Sequence, residues 1–324
     1  MSESQAHLEA VFALHRVNGQ RRLVAGVCGN LASHWVSLGR LDEAARCYAE
    51  ALALQREVGD RRAEGGTLAG LAVVHQDQGE MTDALAFYEA ALPILRECAD
   101  RMGEGIVLGN LATLHNDVGR LDEARSSYDG ALAISREIGD RTGEAVTHGN
   151  LGKLLRDLGR FDEARGHYEQ SLAIARETGD RRTEGIALGG IGTCHGDQGR
   201  ADLALGWFDA ALALHRAIGN RRFEGETLAN QGESLARVGR LDEARVALRD
   251  GEAILREIGD ALDLAKLHCV RGQVEIAAGD LDAARSALAQ AEAVMATLGA
   301  TPASELGQGL ARLRTALDAP WPAP

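Results

Sequence analysis

The feature that most constrains this chain is an internal repeat with a period of forty residues. A hexad that reads Gly-Arg-Leu-Asp-Glu-Ala at residues 119–124 recurs, with small changes, at this interval. Its copies begin at Gly39, Gly79, Gly119, Gly159, Gly199, Gly239 and Gly279. A fixed period in this range is typical of stacked repeat proteins, in which each repeat packs only against its neighbours. The 324 residues therefore predict one elongated module rather than two globular domains.

Within each repeat, the spacing of apolar residues predicts two amphipathic helices. In the second repeat, one helical face is formed by Leu68, Leu71, Ala72 and His75. After the turn at Gly79, the same spacing is resumed by Ala84, Tyr88, Ala91, Leu92 and Leu95. No stretch is rich in strand-forming residues, so the sequence predicts an all-α fold of antiparallel helix pairs.

The period also sets the predicted boundaries. Seven repeats are expected at 21–60, 61–100, 101–140, 141–180, 181–220, 221–260 and 261–300. Residues 1–20 match the second helix and loop of a repeat, so they predict an N-terminal half-repeat, either a natural capping helix or the remainder of a longer protein. Residues 301–319 predict a C-terminal capping helix, and the proline-rich tail 320–324 is expected to be disordered.

Residues at the helix ends predict how each repeat is closed. The glycine after a first helix can adopt the left-handed conformation that ends it. An aspartate follows the second helix and is placed to cap the next helix, at Asp60, Asp100, Asp140, Asp180 and Asp260. Surface ion pairs at i, i+3 are predicted for Asp122/Arg125, Asp162/Arg165, Asp242/Arg245 and Asp282/Arg285. Pro93 lies inside a predicted helix and is expected to kink it.

Composition narrows the possible functions. The net charge of −13 disfavours nucleic acid as a partner, because binding a phosphate backbone depends on Lys and Arg. The five cysteines form no Cys-x-x-Cys pair, which indicates a reducing, cytoplasmic location. The N-terminus has no signal-peptide pattern and no apolar run is long enough for a membrane helix, so no membrane partner is expected. Only Lys153 and Lys266 are lysines among 35 basic residues, which hints at a GC-rich bacterial genome.

The pattern of the repeat resembles a known family. Leu68, Leu71, Gly79, Ala84, Tyr88 and Ala91 match the tetratricopeptide repeat (TPR) consensus, whereas His75 stands where tyrosine is usual and Ala72 where glycine is usual. The forty-residue length and the Gly-Asp-Arg-x-x-Glu-Gly linker are similar to the repeats of LGN/Pins and kinesin light chain, and to arrays in bacterial signalling proteins. The resemblance implies a right-handed superhelical solenoid whose first helices line a concave groove for peptide segments.

Polar columns on the first helices predict where such a groove would bind. If Leu68 and Leu71 face the core, the stripe at 66, 70, 73 and 77 lies on the opposite side of the helix. The candidate peptide-binding residues on this stripe are Asn30, Asn110, Asn150, Asn230, Asp77, Asp117, Asp157, Asp197, Thr113 and Lys153. Asparagine offers a donor and an acceptor and can pair with any peptide backbone, a role that the resemblance also implies. The alternative is that these residues only solvate the face or bond neighbouring helices.

Other patterns in the first helices have structural explanations. The family's carboxylate clamp would need Lys or Arg in the column Gly26, Gly66, Ile106, Val146, Ile186 and Glu226, and none is present. The glycines at 185, 189, 190, 192 and 196 indicate either tight helix packing or a shallow groove floor that a ligand can approach. His75, His115 and His195 lie at least one repeat, about 10 Å, apart, so they cannot share a metal ion.

These observations predict a protein-interaction scaffold, with neutral to basic proteins or peptides as partners. No Ser/His/Asp set, phosphate loop or paired acid occurs at catalytic spacing, so neither an enzyme nor a cofactor or metal site is expected. Two alternatives stay open. The chain is then either a regulatory sensor from a bacterial signalling ATPase, kinase or transcription regulator, or a solenoid that forms homo-oligomers through its terminal helices.

Overall fold

The computed structural model of the chain describes residues 21–298 and 305–318. In these ranges every regular element is an α-helix, and there is no β-strand. The helices are α1 (Arg21–Ser37), α2 (Leu41–Val58), α3 (Arg61–Asp77), α4 (Met81–Glu97), α5 (Arg101–Asp117), α6 (Leu121–Ile138), α7 (Arg141–Asp157), α8 (Phe161–Thr178), α9 (Arg181–Asp197), α10 (Ala201–Ile218), α11 (Arg221–Arg237), α12 (Leu241–Ile258), α13 (Ala261–Ala277), α14 (Leu281–Leu298) and α15 (Glu305–Asp318). The predicted all-α class is confirmed. The half-repeat at 1–20, the start of the capping helix and the tail at 320–324 lie outside the described residues.

The helices pack in consecutive antiparallel pairs, as the repeat pattern predicts. From α1 to α6 and from α8 to α14, a first helix packs against the second helix of its own repeat, and that second helix packs against the next first helix. The chain divides into two compact units, residues 1–147 and 148–324. We refer to these as unit 1 and unit 2.

Within each unit, the first helices of neighbouring repeats contact one another, whereas the second helices do not in the part of the chain that the structure describes. In unit 1, α3 contacts both α1 and α5, and in unit 2, α11 contacts both α9 and α13. Among the described residues, no comparable contact joins the second helices of neighbouring repeats in either unit. The first helices therefore form a continuous layer in each unit. We call the side of this layer that is not buried against the second helices the inner face; in the second repeat it carries Gly66, Gly70, Val73 and Asp77.

The core lies between the two helices of each repeat. In the second repeat, Leu68, Leu71 and Ala72 of α3 are buried against Ala84 and Tyr88 of α4. The alanine at position 84 and its equivalents are completely buried, which lets the two helices approach closely. Leu306, Leu310 and Leu313 of α15 are buried, and this helix packs against α13 and α14.

Left-handed residues end the helices at the predicted loops. Gly39, Gly79 and their equivalents all have φ between 68° and 81°. Each aspartate that was expected to cap a first helix accepts a backbone N–H three residues later; Asp100, for example, accepts from Gly103 at 3.0 Å. Both predictions of helix closure are confirmed.

Ala99 is the exception among the left-handed residues. It has φ 52° where the equivalent loops have glycine at 59, 139, 179, 219 and 259. A side chain in this conformation costs about 1–2 kcal/mol, because Cβ crowds the following carbonyl oxygen.

Replacing Ala99 with glycine is therefore expected to raise the free energy of unfolding by about 1 kcal/mol, after allowing for the greater flexibility of glycine in the unfolded chain. Chemical denaturation of the A99G variant tests this. The matched change Ala90→Gly, at an exposed site inside α4, should instead lower stability by about 1 kcal/mol. If A99G destabilises as A90G does, the strain assigned to Ala99 is wrong.

Two of the four predicted surface ion pairs are wrong. Arg165 binds Asp162 at 3.3 Å and Arg285 binds Asp282 at 3.1 Å, as expected. Arg245, however, binds Glu275 on α13 at 2.5 Å, and Arg125 lies nearest to Asp129, at 4.0 Å. The Glu275 carboxylate is largely buried and needs a counter-charge more than an exposed aspartate does. Pro93 lies inside α4, which continues across it to Glu97.

Candidate functional site

The four predicted asparagines lie at equivalent positions on the first helices α1, α5, α7 and α11. Asn30 is exposed, and Asn110, Asn150 and Asn230 are partly exposed. The Tyr88 hydroxyl donates to Gln76 at 3.3 Å, and the side chain of Asn110 lies close enough to this hydroxyl to lower the Tyr88 pKa, which burial raises overall. Asn30, Asn150 and Asn230 have no hydrogen-bond partner among the described residues, and their amide atoms are open to solvent. Three of the four amides are therefore able to bond a ligand.

The four predicted aspartates end the first helices α3, α5, α7 and α9, and all are exposed. Asp157 is paired with Arg156 at 2.9 Å, and Asp117 accepts a long hydrogen bond from Gln76 at 3.5 Å. Desolvation raises the pKa of Asp77 and Asp197 above the ordinary value, although both carboxylates touch solvent. Their surroundings are thus less polar than water without being closed.

Thr113 and Lys153 occupy the same position in two repeats but behave differently. The Thr113 hydroxyl lies 2.9 Å from the Tyr128 hydroxyl and also bonds the Gly109 carbonyl, so it serves the fold. Lys153 is exposed and makes no hydrogen bond or ion pair among residues 21–298 and 305–318. Of these two predicted site residues, only Lys153 is open to a ligand.

Unit 2 also contains charged residues that sequence reasoning did not select. Glu226 on α11 is half-buried, and burial is the largest cause of its raised pKa. Lys153 and Arg156 of α7 and Lys266 of α13 lie within electrostatic range of it. On the same helix, Arg237 donates to the Gly196 carbonyl at 2.5 Å and to Glu233 at 2.6 Å. The sequence contains a signal for Glu226, because this acidic residue follows the apolar residues Ile106, Val146 and Ile186 at the equivalent position of the preceding repeats.

The dense glycines of α9 are explained mainly by packing. A Cβ on Gly190 would lie 2.4 Å from the Tyr168 ring, one on Gly192 2.8 Å from the Phe208 ring, and one on Gly185 2.6 Å from His215. These three glycines make room for buried rings of the second helices. Gly189 is the most open of the five, with only a threonine oxygen at 3.8 Å.

Comparison with known families agrees with this architecture. The family model for the tetratricopeptide repeat matches residues 22–97, 103–177 and 183–257. The chain belongs to the tetratricopeptide repeat family. A comparison with curated proteins finds no match. No helix within the described ranges combines the length and apolar character that crossing a membrane requires.

Solved TPR structures share the fold at low sequence identity. BtubC (BKLC) from P. vanneervenii is 22% identical, covering 66% of this chain and 91% of that one, with a TM-score of 0.60. A signal transduction ATPase with a TPR sensor, from Pyrococcus horikoshii, is 16% identical over 92% of this chain and 46% of that one, with a TM-score of 0.69. A Rap protein complexed with competence and sporulation factor is 15% identical over 98% of this chain and 97% of that one, with a TM-score of 0.62.

Two histidines of the predicted column, His75 and His195, contact side chains of their own repeat. His75 lies 2.5 Å from Glu80 and stacks on Phe87, with ring centroids 5.0 Å apart, and His195 stacks on Trp207. His75, Glu80 and Asp83 place potential metal ligands within 4.8 Å of one another. The two carboxylates are exposed and His75 is already bonded to one of them, so this group is explained as a surface hydrogen bond.

Buried neutral histidines predict an acid-sensitive unit 2. Desolvation lowers the pKa of His268 to about 4 and also lowers that of His215 and His195. A depressed folded-state pKa means that the unfolded chain binds more protons between about pH 6.5 and 4. The free energy of unfolding is therefore not reduced by these histidines above pH 6.5, and it decreases as pH falls toward 4.

We expect the free energy of unfolding to fall across this interval, measured by denaturant titration at several pH values. His268→Asn should reduce the slope, because it removes the group with the largest depression. An unchanged slope in H268N would show that His268 is not buried in its neutral form.

Proposed function

We propose that this TPR chain is a protein-interaction scaffold that binds a peptide segment of its partner along the inner face. The observation that carries the proposal is the repeated open asparagine: Asn30, Asn150 and Asn230 present unbonded amides at equivalent positions. In unit 2, Asn150 and Asn230 are two repeats apart, and because equivalent helices of neighbouring repeats lie about 10 Å apart, the two amides would meet an extended chain about every sixth residue. Such contacts read the peptide backbone and leave its sequence open.

The charge of the chain supports a protein partner. With a net charge of −13, a neutral to basic segment is favoured over a nucleic acid. We place the protein in the cytoplasm and assign it no enzymatic activity. The Rap structure with competence and sporulation factor supports the idea that this fold can hold a ligand.

A positional-scanning heptapeptide array tests the proposal. Each spot fixes one residue and randomises the others, and the labelled full chain is applied. Asn150→Ala with Asn230→Ala should weaken binding to all spots alike, by about tenfold or more, because each amide contributes roughly 0.5–1.5 kcal/mol per hydrogen bond. Gln170→Ala removes an exposed amide from the second helix α8 and should change nothing. Undiminished binding by the double variant would contradict the asparagine contacts.

A second candidate is a sensor role within a signalling protein. The likeness to the Pyrococcus horikoshii protein, which carries a TPR sensor, favours it. Finding an ATPase or kinase domain encoded in the same reading frame would support it, and a free-standing reading frame would count against it.

A further inference from the structure

The repeated tyrosines of the second helices differ in one respect. In unit 1, the Tyr48 hydroxyl lies 3.0 Å from Ser33, and the Tyr128 hydroxyl lies 2.9 Å from Thr113. The equivalent residue in unit 2 is Tyr168, and lysine stands at 153 where its small hydroxyl partner would be. Tyr168 therefore lacks the bond to a small hydroxyl that Tyr48 and Tyr128 make.

Tyr168 is nevertheless built into the inner face of unit 2. Its residue is only 4% exposed. Its ring lies over Gly190 and Gly152, whose added Cβ atoms would come within 2.4 and 3.0 Å. The hydroxyl has no partner among the described residues, and it is not closed off from solvent. A nearly buried tyrosine thus directs an unused hydrogen-bonding group at the open side of the first helices.

Two carboxylates of unit 2 also lack direct partners. Glu226 is within electrostatic range of Tyr168. Neither Glu226 nor Asp197 makes an ion pair or hydrogen bond within the described ranges. Burial is the largest cause of the raised pKa of both groups. Partly desolvated carboxylates without partners are unfavourable, and a cation that bonds them would relieve this cost.

The neighbouring cations are mostly engaged elsewhere. Arg156 pairs with Asp157 at 2.9 Å, and Arg237 pairs with Glu233 at 2.6 Å. Arg222 is 3.0 Å from Asp260 and 3.2 Å from Asp263, and Lys266 is 3.5 Å from Asp263. Lys153 and Arg312 are exposed and make no ion pair with Glu226 or Asp197. The two carboxylates consequently remain available to a ligand.

We propose that the inner face of unit 2 binds a cationic group of the peptide, with Glu226 as the counter-ion and the Tyr168 hydroxyl as a hydrogen-bond acceptor. This inference rests on the proposed peptide binding and adds the chemistry of the peptide. The cation is either a lysine or arginine side chain or an N-terminal ammonium. All three offer several N–H donors, which match carboxylate and phenol oxygens.

The peptide array separates this inference from the proposal on which it rests. Spots with fixed lysine or arginine should bind the chain about tenfold more strongly than spots with fixed alanine. Acetyl-lysine spots should match alanine, since acetylation removes the charge. Acetylating the free N-termini of the peptides should weaken binding only if the ammonium is the recognised group.

The second part of the array experiment uses variants of the chain. Glu226→Gln should abolish the preference for basic residues while keeping the binding that all spots share. Glu243→Gln on α12 removes the same charge from a second helix, where it pairs with Arg240, and should keep the preference. Binding without a basic preference, or a preference unaffected by E226Q, overturns the inference and leaves peptide binding intact. Binding to no spot overturns both.

The Tyr168 hydroxyl is tested by a matched pair of variants. Tyr168→Phe should leave the melting temperature unchanged, because no internal hydrogen bond is lost, but should weaken binding to basic spots several-fold. Tyr128→Phe should lower the melting temperature, because it breaks the bond to Thr113, and should leave the basic preference unchanged. A fall in stability for Y168F equal to that for Y128F would show that the hydroxyl is already satisfied and would overturn its role.

Discussion

Replacing Gly190 with alanine should lower the free energy of unfolding by about 2 kcal/mol. In an exposed helix the same change normally stabilises by about 1 kcal/mol, because alanine is the better helix former. At Gly190 the new methyl carbon would lie 2.4 Å from the ring of Tyr168, which is buried and held on its other side at Gly152. The ring or the helix must move, and such overpacking costs about 1–3 kcal/mol or more. Denaturant unfolding of the G190A variant measures the sum of these effects.

Gly206 provides the matched control in the same unit. It lies inside α10 with no atom within 4 Å of an added Cβ. Gly206→Ala should therefore stabilise by about 0.5–1 kcal/mol. The test is whether the change in the free energy of unfolding has opposite signs in G190A and G206A. If G190A stabilises as G206A does, Tyr168 is not packed against α9 as described.

The glycines of α9 show where sequence reasoning stops. The sequence revealed their density and gave two explanations, packing or an open floor, but it could not decide between them. The decision depends on which second-helix ring faces each glycine, and the ring that faces Gly190 belongs to the neighbouring repeat. Only coordinates place Tyr168 over Gly190 and Phe208 over Gly192.

Local signals were predicted more successfully than long-range ones. Helix ends followed from glycine and aspartate at fixed positions, because caps involve residues only three or four apart. The pairing of Arg245 with Glu275 joins residues thirty apart, and the i, i+3 rule therefore selected the wrong partner. A buried acid attracts the nearest cation in space, whatever its distance along the chain.

The candidate site shows the same limit. The asparagine column was read from the sequence, because it repeats every forty residues on one helical face. The Tyr168 hydroxyl and Glu226 were missed because what distinguishes them is that neither has a hydrogen-bond or ion-pair partner in the described part of the folded chain. Recognising it requires knowing that Tyr128 bonds Thr113 and that Lys153 takes the equivalent place.

The largest loss of stability is expected from a recurrent buried glutamate at the junction of two repeats. Glu64 has a side chain only 6% exposed, and it accepts hydrogen bonds from Arg56 of α2 at 2.8 Å and from Arg61 of α3 at 2.6 Å. Equivalent bridges occur at Glu104, Glu144, Glu184 and Glu224. Burial alone would raise the pKa of Glu64, but the two arginines outweigh it and lower the pKa below 4.5. The carboxylate is therefore ionised in the folded protein and joins the two repeats.

Glu64→Ala should lower the free energy of unfolding by about 3 kcal/mol at neutral pH, because removing one partner of a buried ion pair leaves the others without their counter-charge. Glu89→Ala, at an exposed position of α4, should have little effect. Because the folded-state pKa of Glu64 is depressed, its contribution is complete above pH 4.5 and disappears as pH falls further. The difference between E64A and the wild type should narrow in the same interval. A difference that is small at pH 7, or that persists at low pH, would mean that the junction depends on apolar packing rather than on this bridge.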